Sequence, residues 1–416
     1  MSTFNVKDIS ENISSKKGIS FLSSFFKKNI LNKFENLEYG FIKIIDCEKT
    51  INVGDDSTQL KCTITIQNND FYVFLGSGGL LGASEAYAAG LWECDNLVVL
   101  TQIMARNQKL MTSLDSGFAK LLIPINKLIH YRKRNTILGS KKNILAHYDL
   151  GNDFYELWLD KSMTYSCGYF KNDKSTLYEA SIEKLDMICK KLKLNKNDTV
   201  LEIGTGWGSF SIHAASKYGC KVTTTTISDS QFEYASNKIK KLKLDHLVTI
   251  IKKDYRLLEG TYDKIACIEM IEAVGHKNVP VLFEKISSLL KAGGLFAMQG
   301  ITYNDQKFDK YKNSVDFINK YIFPGSCLIS IAQISDTVKN STNLDFIDLQ
   351  DITSHYAKTL NIWRNNFLNK TKDVKDLGFP DSFIRLWEFY FTYCEAGFLE
   401  KNIGDYQFLF SKQMEY

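Results

Sequence analysis

The chain has 416 residues, 44% of them hydrophobic and 24% charged, with 52 Lys and Arg against 47 Asp and Glu. That balance excludes a disordered chain, and a net charge of +5 is small for a protein built to coat nucleic acid. The length is that of two or three domains of ~150 residues. Nine cysteines, an odd number without a Cys-x-x-Cys pair, argue against a disulfide scaffold or a structural metal site and for a reducing compartment. Residues 1–17 are polar and lack the apolar core of a secretory signal. No apolar run reaches the ~18 residues of a spanning helix. The expected location is cytoplasmic, with peripheral attachment to a membrane left open.

In chain order, residues 18–34 place Ile19, Phe21, Leu22, Phe25, Phe26, Ile30, Leu31 and Phe34 beside Lys27, Lys28 and Lys33. This is an amphipathic helix that either faces a core or lies on a membrane surface. Residues 41–45, 62–66 and 70–75 read as short strands with Asn and Asp turns between them. Residues 76–82 read as a glycine-dense turn into a helix at 84–89, because Gly-Ser-Gly-Gly departs from the dinucleotide fingerprint. Residues 95–130 look helical, completing an N-terminal α+β domain at 1–140.

Between Ser116 and Tyr148 lie Lys120, Lys127, Arg132, Lys133, Arg134, Lys141 and Lys142, with no Asp or Glu. Phe118, Leu121, Leu122, Ile123, Ile125, Leu128, Ile129 and Tyr131 are interleaved with them. A charge run is ordinarily a solvated face. A run without acids and with apolar neighbours also fits an anionic surface, and lipid headgroups are its favoured partner.

From residue 198 the pattern changes to alternating elements. Strands are expected at 199–203, 221–227, 248–252, 262–270 and 294–301, with helices at 207–218, 229–242 and 279–290. Apolar runs between amphipathic helices indicate a parallel sheet buried on both faces. Residues 303–345 interrupt the alternation; a strand at 344–352, helices at 355–370 and 380–396, and a last strand at 405–411 follow. The expected class is α/β, a doubly wound, mostly parallel Rossmann-like sheet at 141–416.

The sharpest motif is Val200-Leu201-Glu202-Ile203-Gly204-Thr205-Gly206-Trp207-Gly208. An acid near the end of a strand precedes glycines that let a backbone approach a ligand, and a helix N-terminus follows. A nicotinamide site would place the third glycine one residue later. The spacing resembles the S-adenosylmethionine site of class I methyltransferases. On that resemblance the next strand normally ends in an acid for the ribose; this one ends Thr224-Thr225-Thr226-Ile227-Ser228, so Gln231 is the substitute. Asp254 and Tyr255 would meet the adenine.

Further segments sharpen the likeness. They are Ala146-His147-Tyr148-Asp149-Leu150-Gly151-Asn152-Asp153-Phe154-Tyr155, Met163-Thr164-Tyr165-Ser166-Cys167-Gly168-Tyr169-Phe170 and Ile268-Glu269-Met270-Ile271-Glu272-Ala273-Val274-Gly275-His276. Leu80-Leu81-Gly82-Ala83-Ser84-Glu85-Ala86-Tyr87, Gly90-Leu91-Trp92-Glu93-Cys94-Asp95, Cys394-Glu395-Ala396-Gly397-Phe398 and Ile403-Gly404-Asp405 add to them. In these the chain resembles the cyclopropane-fatty-acyl-phospholipid synthase family, mycolic acid cyclopropane synthases included, from about residue 35 to the end.

The resemblance implies a site residue by residue. The Tyr165-Ser166 backbone and Gly204 to Gly206 would hold the methionine part of S-adenosylmethionine, Thr226, Ile227 and Gln231 the ribose and adenine side, with Asp254 and Tyr255 closing the adenine pocket and Glu202 also cofactor-binding. A bicarbonate ion would act as general base, held by Cys167, Glu272, Tyr356 and the backbone near Ile301. Where the family has a histidine this chain has Gln299, which can donate a hydrogen bond but cannot share a proton. His355 is the candidate to compensate. The implied partners are unsaturated phospholipid acyl chains at an anionic membrane surface and a second copy in a homodimer; neither nucleic acid nor metal is expected.

These residue types suit the chemistry. An alkene is a poor nucleophile and needs the methyl close and in line. The cation that follows must be shielded from water, and aromatic faces can stabilise it; Tyr165, Tyr169, Phe170, Tyr321 and Phe323 are candidates. Two other readings stand beside this one, an amine N-methyltransferase and a non-enzymatic lipid-surface protein. The intact glycine motif with Cys167, Glu272 and Tyr356 argues against the latter. If the basic residues at 120–142 meet lipid, binding to vesicles containing phosphatidylglycerol weakens as salt rises. Salt-independent sedimentation with vesicles would leave only the helix at 18–34 as an anchor.

Overall fold

A computed structural model describes residues 20–46, 49–115 and 150–414. The basic stretch from Ser116 to Tyr148 and the expected boundary at 140 lie outside them. The N-terminal sheet contains β1 (Phe41–Ile45), β2 (Thr50–Gly54), β3 (Lys61–Ile66) and β4 (Trp92–Cys94), in the order β2-β1-β3-β4. The helix Ser20–Phe34 turns Phe26, Ile30 and Phe34 into the core beside this sheet, which is the core-facing reading of that segment.

The expected strand at 70–75 is instead the start of a helix, Asp70–Ala88, which runs through the glycines and breaks only at Gly79 (φ 58, ψ −141). The reason is burial on every side: Phe71, Tyr72, Val73, Phe74 and Leu75 are all buried. A short continuous apolar run does not separate a buried strand from a buried helix. At the break the chain folds tightly on itself, so a Cβ on Gly82 would lie 1.9 Å from the Phe74 carbonyl oxygen.

The second sheet contains β5 (Thr199–Ile203), β6 (Lys221–Thr226), β7 (Val248–Lys252), β8 (Tyr262–Ile268), β9 (Leu290–Tyr303), β10 (Leu344–Asp351) and β11 (Ile403–Lys412). Their order is β10-β11-β9-β8-β5-β6-β7. Strands β5 to β9 are mutually parallel, and β11 runs antiparallel to both β9 and β10. The expected alternation is therefore present, and each face carries its own core. Helices Leu177–Lys191, Ser209–Tyr218 and Asp229–Lys241 cover one, and Val279–Leu289 and Ile331–Ser341 the other. Chain order reverses beside β5, which opens a crevice at the carboxyl ends of β5, β6 and β8. The reversed β11 enters at that same end and sets Asp405 opposite Ile301 and Gln407 opposite Gln299.

The two parts share one aromatic core. Trp158, Trp363 and Trp387 are fully buried in it together with Tyr87 and Trp92 of the N-terminal part. Arg385, on the helix Asp381–Leu399, donates to the carbonyls of Tyr87 (2.6 Å) and Trp92 (2.7 Å). Tyr87 in turn donates to Glu388 at 2.8 Å.

One acid lies in the middle of this apolar architecture. Glu202, on β5, is buried and accepts from the Thr224 hydroxyl at 2.6 Å. Desolvation pushes its carboxyl from 4.5 up to about 8. The unfolded chain loses that proton near 4.5, whereas the fold keeps it to about 8, so this contribution to stability is lost as pH rises through the window. Glu202→Gln should gain on the wild type by up to ~1.4 kcal/mol per pH unit there. Denaturant midpoints across the window test this; a difference that does not change with pH would show the carboxyl already ionised.

Candidate active site

The glycine motif forms the turn from β5 into the helix Ser209–Tyr218. Gly204 (φ 100), Gly206 (φ 51) and Gly208 (φ 87) all take backbone conformations that L side chains avoid. The Thr225 carbonyl accepts from the N–H groups of Gly204 (3.1 Å) and Thr205 (3.0 Å), which fixes the loop over the end of β6. A Cβ on Gly204 would sit 3.1 Å from the Met270 side chain.

One cavity of about 330 Å³ begins at this loop. Tyr165, Ser166, Glu202, Gly204, Gly206, Thr226, Ile227, Gln231, Asp254 and Tyr255 all border it. Thr226 donates to Gln231 Oε1 at 3.1 Å. Asp254 Oδ1 accepts from Arg256 Nε (2.8 Å) and from the Arg256 backbone N–H (3.0 Å), and Oδ2 accepts from Arg256 Nη2 at 2.7 Å and keeps a second acceptor position. The Tyr255 hydroxyl is buried without a partner among the described residues. A glycine cradle, an acceptor for an exocyclic amine on Asp254 Oδ2 and an unpaired hydroxyl fit S-adenosylmethionine, and these residues would hold it.

At the deep end of the cavity, acids from the end of β8, the 3-10 turn Ile271–Ala273 and the start of β11 converge. Glu269, at the end of β8, accepts from the Cys167 N–H (2.8 Å) and Gln299 Nε2 (2.7 Å) on Oε1, and from the Tyr356 hydroxyl (2.6 Å) on Oε2. Gln299 Nε2 also donates to Asp405 at 3.0 Å, and Gln299 Oε1 accepts from Gln407 at 3.1 Å. Glu272 Oε1 accepts from the Ile301 N–H at 2.6 Å, while its Oε2 is buried without a partner among the described residues. Burial, then repulsion from Glu269, pushes Glu272 up to about 8. Asp405 is likewise raised, by burial and then by the neighbouring carboxylates. Lys184 is buried beside them and donates to Ser166 Oγ at 2.5 Å. Desolvation lowers its pKa while the carboxylates oppose that.

This arrangement changes the expected anion site. Glu272 and Tyr356 border the cavity, whereas Cys167 and Gln299 do not. Glu269, which does, stands in front of both. The Cys167 thiol points to the Gly168 carbonyl at 3.2 Å, and burial pushes its pKa far up. Bicarbonate therefore does not fit as expected, since a side-chain carboxylate already occupies its donors. His355 does not compensate: its Nδ1 accepts from the Phe170 N–H at 3.1 Å, and its ring lies 4.2 Å from that of Tyr169.

Beyond the acids the cavity becomes apolar and aromatic, with Tyr311, Phe323, Leu328, Tyr390, Tyr393 and Phe398 on its wall. Of the five aromatic candidates, Tyr165 and Phe323 border it. Tyr169 and Phe170 pack on His355, and Tyr321 donates to Glu85 at 2.6 Å. Sequence reasoning missed Glu269, Lys184 and Asp405 as site residues. The available signals were a second acid three residues before Glu272 and, in Asp405, an acid at the head of the apolar stretch that follows it; Lys184 sits among other charged residues and carried none. No single-chain pattern says that these three meet.

The comparisons with known proteins agree with this geometry. The mycolic acid cyclopropane synthetase family matches residues 137–408. The cyclopropane-fatty-acyl-phospholipid synthase of Escherichia coli is 35% identical over 355 residues, 85% of this chain and 88% of that protein. Tuberculostearic acid methyltransferase UfaA1 of Mycobacterium tuberculosis is 33% identical over 343 residues, 80% of this chain and 79% of that protein. Among solved structures, mycolic acid cyclopropane synthase CmaA1 complexed with SAH and CTAB superposes with a TM-score of 0.62 at 29% identity, covering 65% of this chain and 98% of that one. The seven-stranded sheet, the glycine loop and these matches together place the chain in the mycolic acid cyclopropane synthetase family, as an S-adenosylmethionine-dependent enzyme of the class I methyltransferase fold.

Proposed function

We propose that the chain methylates the double bond of an unsaturated phospholipid acyl chain and closes a cyclopropane ring, a methyl-branched or methylene chain being the variant product. The observation that carries this reading is the single cavity that joins the glycine loop, the buried acids and an aromatic, apolar extension. When bound, S-adenosylmethionine supplies an electrophilic methyl group. The chain's own residues do the rest. The glycine loop and Tyr165 position the donor against the acyl chain. The Phe323, Tyr390 and Phe398 wall excludes water and offers ring faces to a carbocation. The acids accept the proton that must leave. No step runs through bicarbonate, because its donors are taken. Among the described residues no helix is long and apolar enough to cross a membrane. The proposed route to the acyl chain is from a bilayer surface, with the basic residues at 120–142 supplying the attraction.

Purified protein incubated with methyl-labelled S-adenosylmethionine and vesicles of unsaturated phosphatidylglycerol should yield label in the extracted fatty acids. Mass spectrometry then separates ring from branch. Label that partitions into water would overturn the reading in favour of an amine acceptor. Gly204→Ala tests the donor site separately. The φ of 100 and the 3.1 Å approach to Met270 make an L side chain cost ~1–2 kcal/mol. Calorimetry should show S-adenosylmethionine binding weakened by about tenfold, and unchanged affinity would remove the loop from the site.

A further inference from the structure

We propose that Glu269 is the general base of the reaction, a side-chain carboxylate built into the position where the family resemblance implies a dissolved ion. The inference rests on the acyl-methylating reading above.

Four observations converge on it. First, the donors expected to surround an anion, at Cys167, Gln299 and Tyr356, all donate to Glu269. Second, Glu269 is held at φ 45. Of the other non-glycine residues with positive φ, Lys193, Lys243 and Lys401 follow helix ends, where that conformation is ordinary. Glu269 instead leaves a buried strand, and a strained backbone of this kind persists only where the surroundings over-determine it. Third, Glu269 borders the cavity. Its Oε1 carries two donors and its Oε2 only one, so Oε2 keeps an acceptor position for a proton. Fourth, Glu269 and Glu272, both desolvated, and the buried Asp405 are already three carboxyls beside one buried lysine, Lys184. A further anion would add charge where charge is hardest to solvate.

Glu272 is the competing base, and its surroundings disfavour it. It has a single backbone donor and an oxygen with none, and it is pushed up to about 8, so it holds its proton at neutral pH. Glu269 has three donors that favour its ionised form, against a burial that raises its pKa and strengthens it as a base. Two carboxyls in unlike settings thereby divide into an acid and a base. Gln299 then has a reason. Its amide donates to Glu269 and Asp405 at once, which a proton-sharing ring would not need to do beside a dissolved ion.

In the step itself the alkene π pair forms the bond to the methyl carbon, the carbon–sulfur pair leaves with sulfur, and the neighbouring acyl carbon becomes cationic. Glu269 Oε2 takes a proton from the transferred methyl. The carbon–hydrogen pair becomes the carbon–carbon bond that closes the ring, and the proton passes to solvent between turnovers.

The test uses the full chain, labelled S-adenosylmethionine and unsaturated phosphatidylglycerol vesicles, in buffer stripped of carbon dioxide and again with added bicarbonate. The wild type should be equally active in both; dependence on bicarbonate overturns the proposal. Glu269→Gln should lose about 10²–10⁴-fold in kcat while calorimetry shows S-adenosylmethionine still bound, and a loss under about tenfold overturns it. Glu269→Gly, which vacates the position and relaxes the backbone, should become bicarbonate-dependent; a Gly variant indifferent to bicarbonate also overturns it. A wild type that labels no acyl chain in either buffer would instead sink the parent reading.

Discussion

The desolvation of carboxyl groups is the constraint around which this molecule is arranged. Glu202, Glu269, Glu272 and Asp405 are taken out of water at the carboxyl end of one sheet, with Lys184 as the buried cation beside them. Such a cluster is unfavourable alone. It becomes favourable toward a ligand that arrives with positive charge, as a sulfonium does. On the proposed reaction that charge does not vanish when the methyl leaves. It moves a few ångströms, onto an acyl carbon that still faces the same carboxylates. Polar groups already aimed at the place where charge develops need no reorganisation at the moment of reaction.

The fold makes that placement through one reversed strand. Parallel strands β5 to β9 present their carboxyl ends to the crevice, and an antiparallel β11 is what can deliver the start of a strand to the same place. Asp405 arrives by that route. The N-terminal part then braces the opposite wall. Its Glu85 takes Lys320 (2.8 Å) and Tyr321 (2.6 Å) from the turn that carries Ile318 and Phe323 into the cavity. Its Tyr87 and Trp92 carbonyls hold Arg385, on the helix that contributes Tyr390 and Tyr393. An apparently accessory unit therefore sets the shape of the apolar end. On the proposed reaction, the width of that end would select the acyl chain and keep water from the cation.

The sheet was legible because its strands are apolar runs bounded by amphipathic helices, a pattern that depends on local sequence alone. The helix at Asp70–Ala88 was not, because it is buried all round and periodicity disappears when every face is apolar. The cofactor half of the site was legible for a related reason: glycines at fixed spacing, with the ligand-facing ends of β6 and β7, lie near one another in sequence and space. The anion half was only partly legible. Cys167, Glu272, Gln299 and Tyr356 do gather within one region, but through Glu269, whose side chain takes the centre. A motif gives residue types in order. It does not say which of two acids three residues apart gathers the donors, because that depends on a backbone angle at the end of a strand.

That angle connects stability to chemistry. Glu269 at φ 45 and four acids with raised pKa values are features that each weaken the folded chain relative to a neutral, relaxed alternative. They persist because the surrounding apolar cores are large enough to bear them: Trp158, Trp363 and Trp387 pack on one side, and the paired phenylalanines Phe296 and Phe410 on the other. A site that recruits its base from solution leaves its pocket neutral when empty and depends on the concentration of the ion. A site that carries its base as a side chain accepts a permanent folding penalty and is freed from that dependence. The fully engaged Gln299 amide, held between two carboxyls and a second glutamine, is what the second arrangement requires, since it fixes the base in place without competing for its proton.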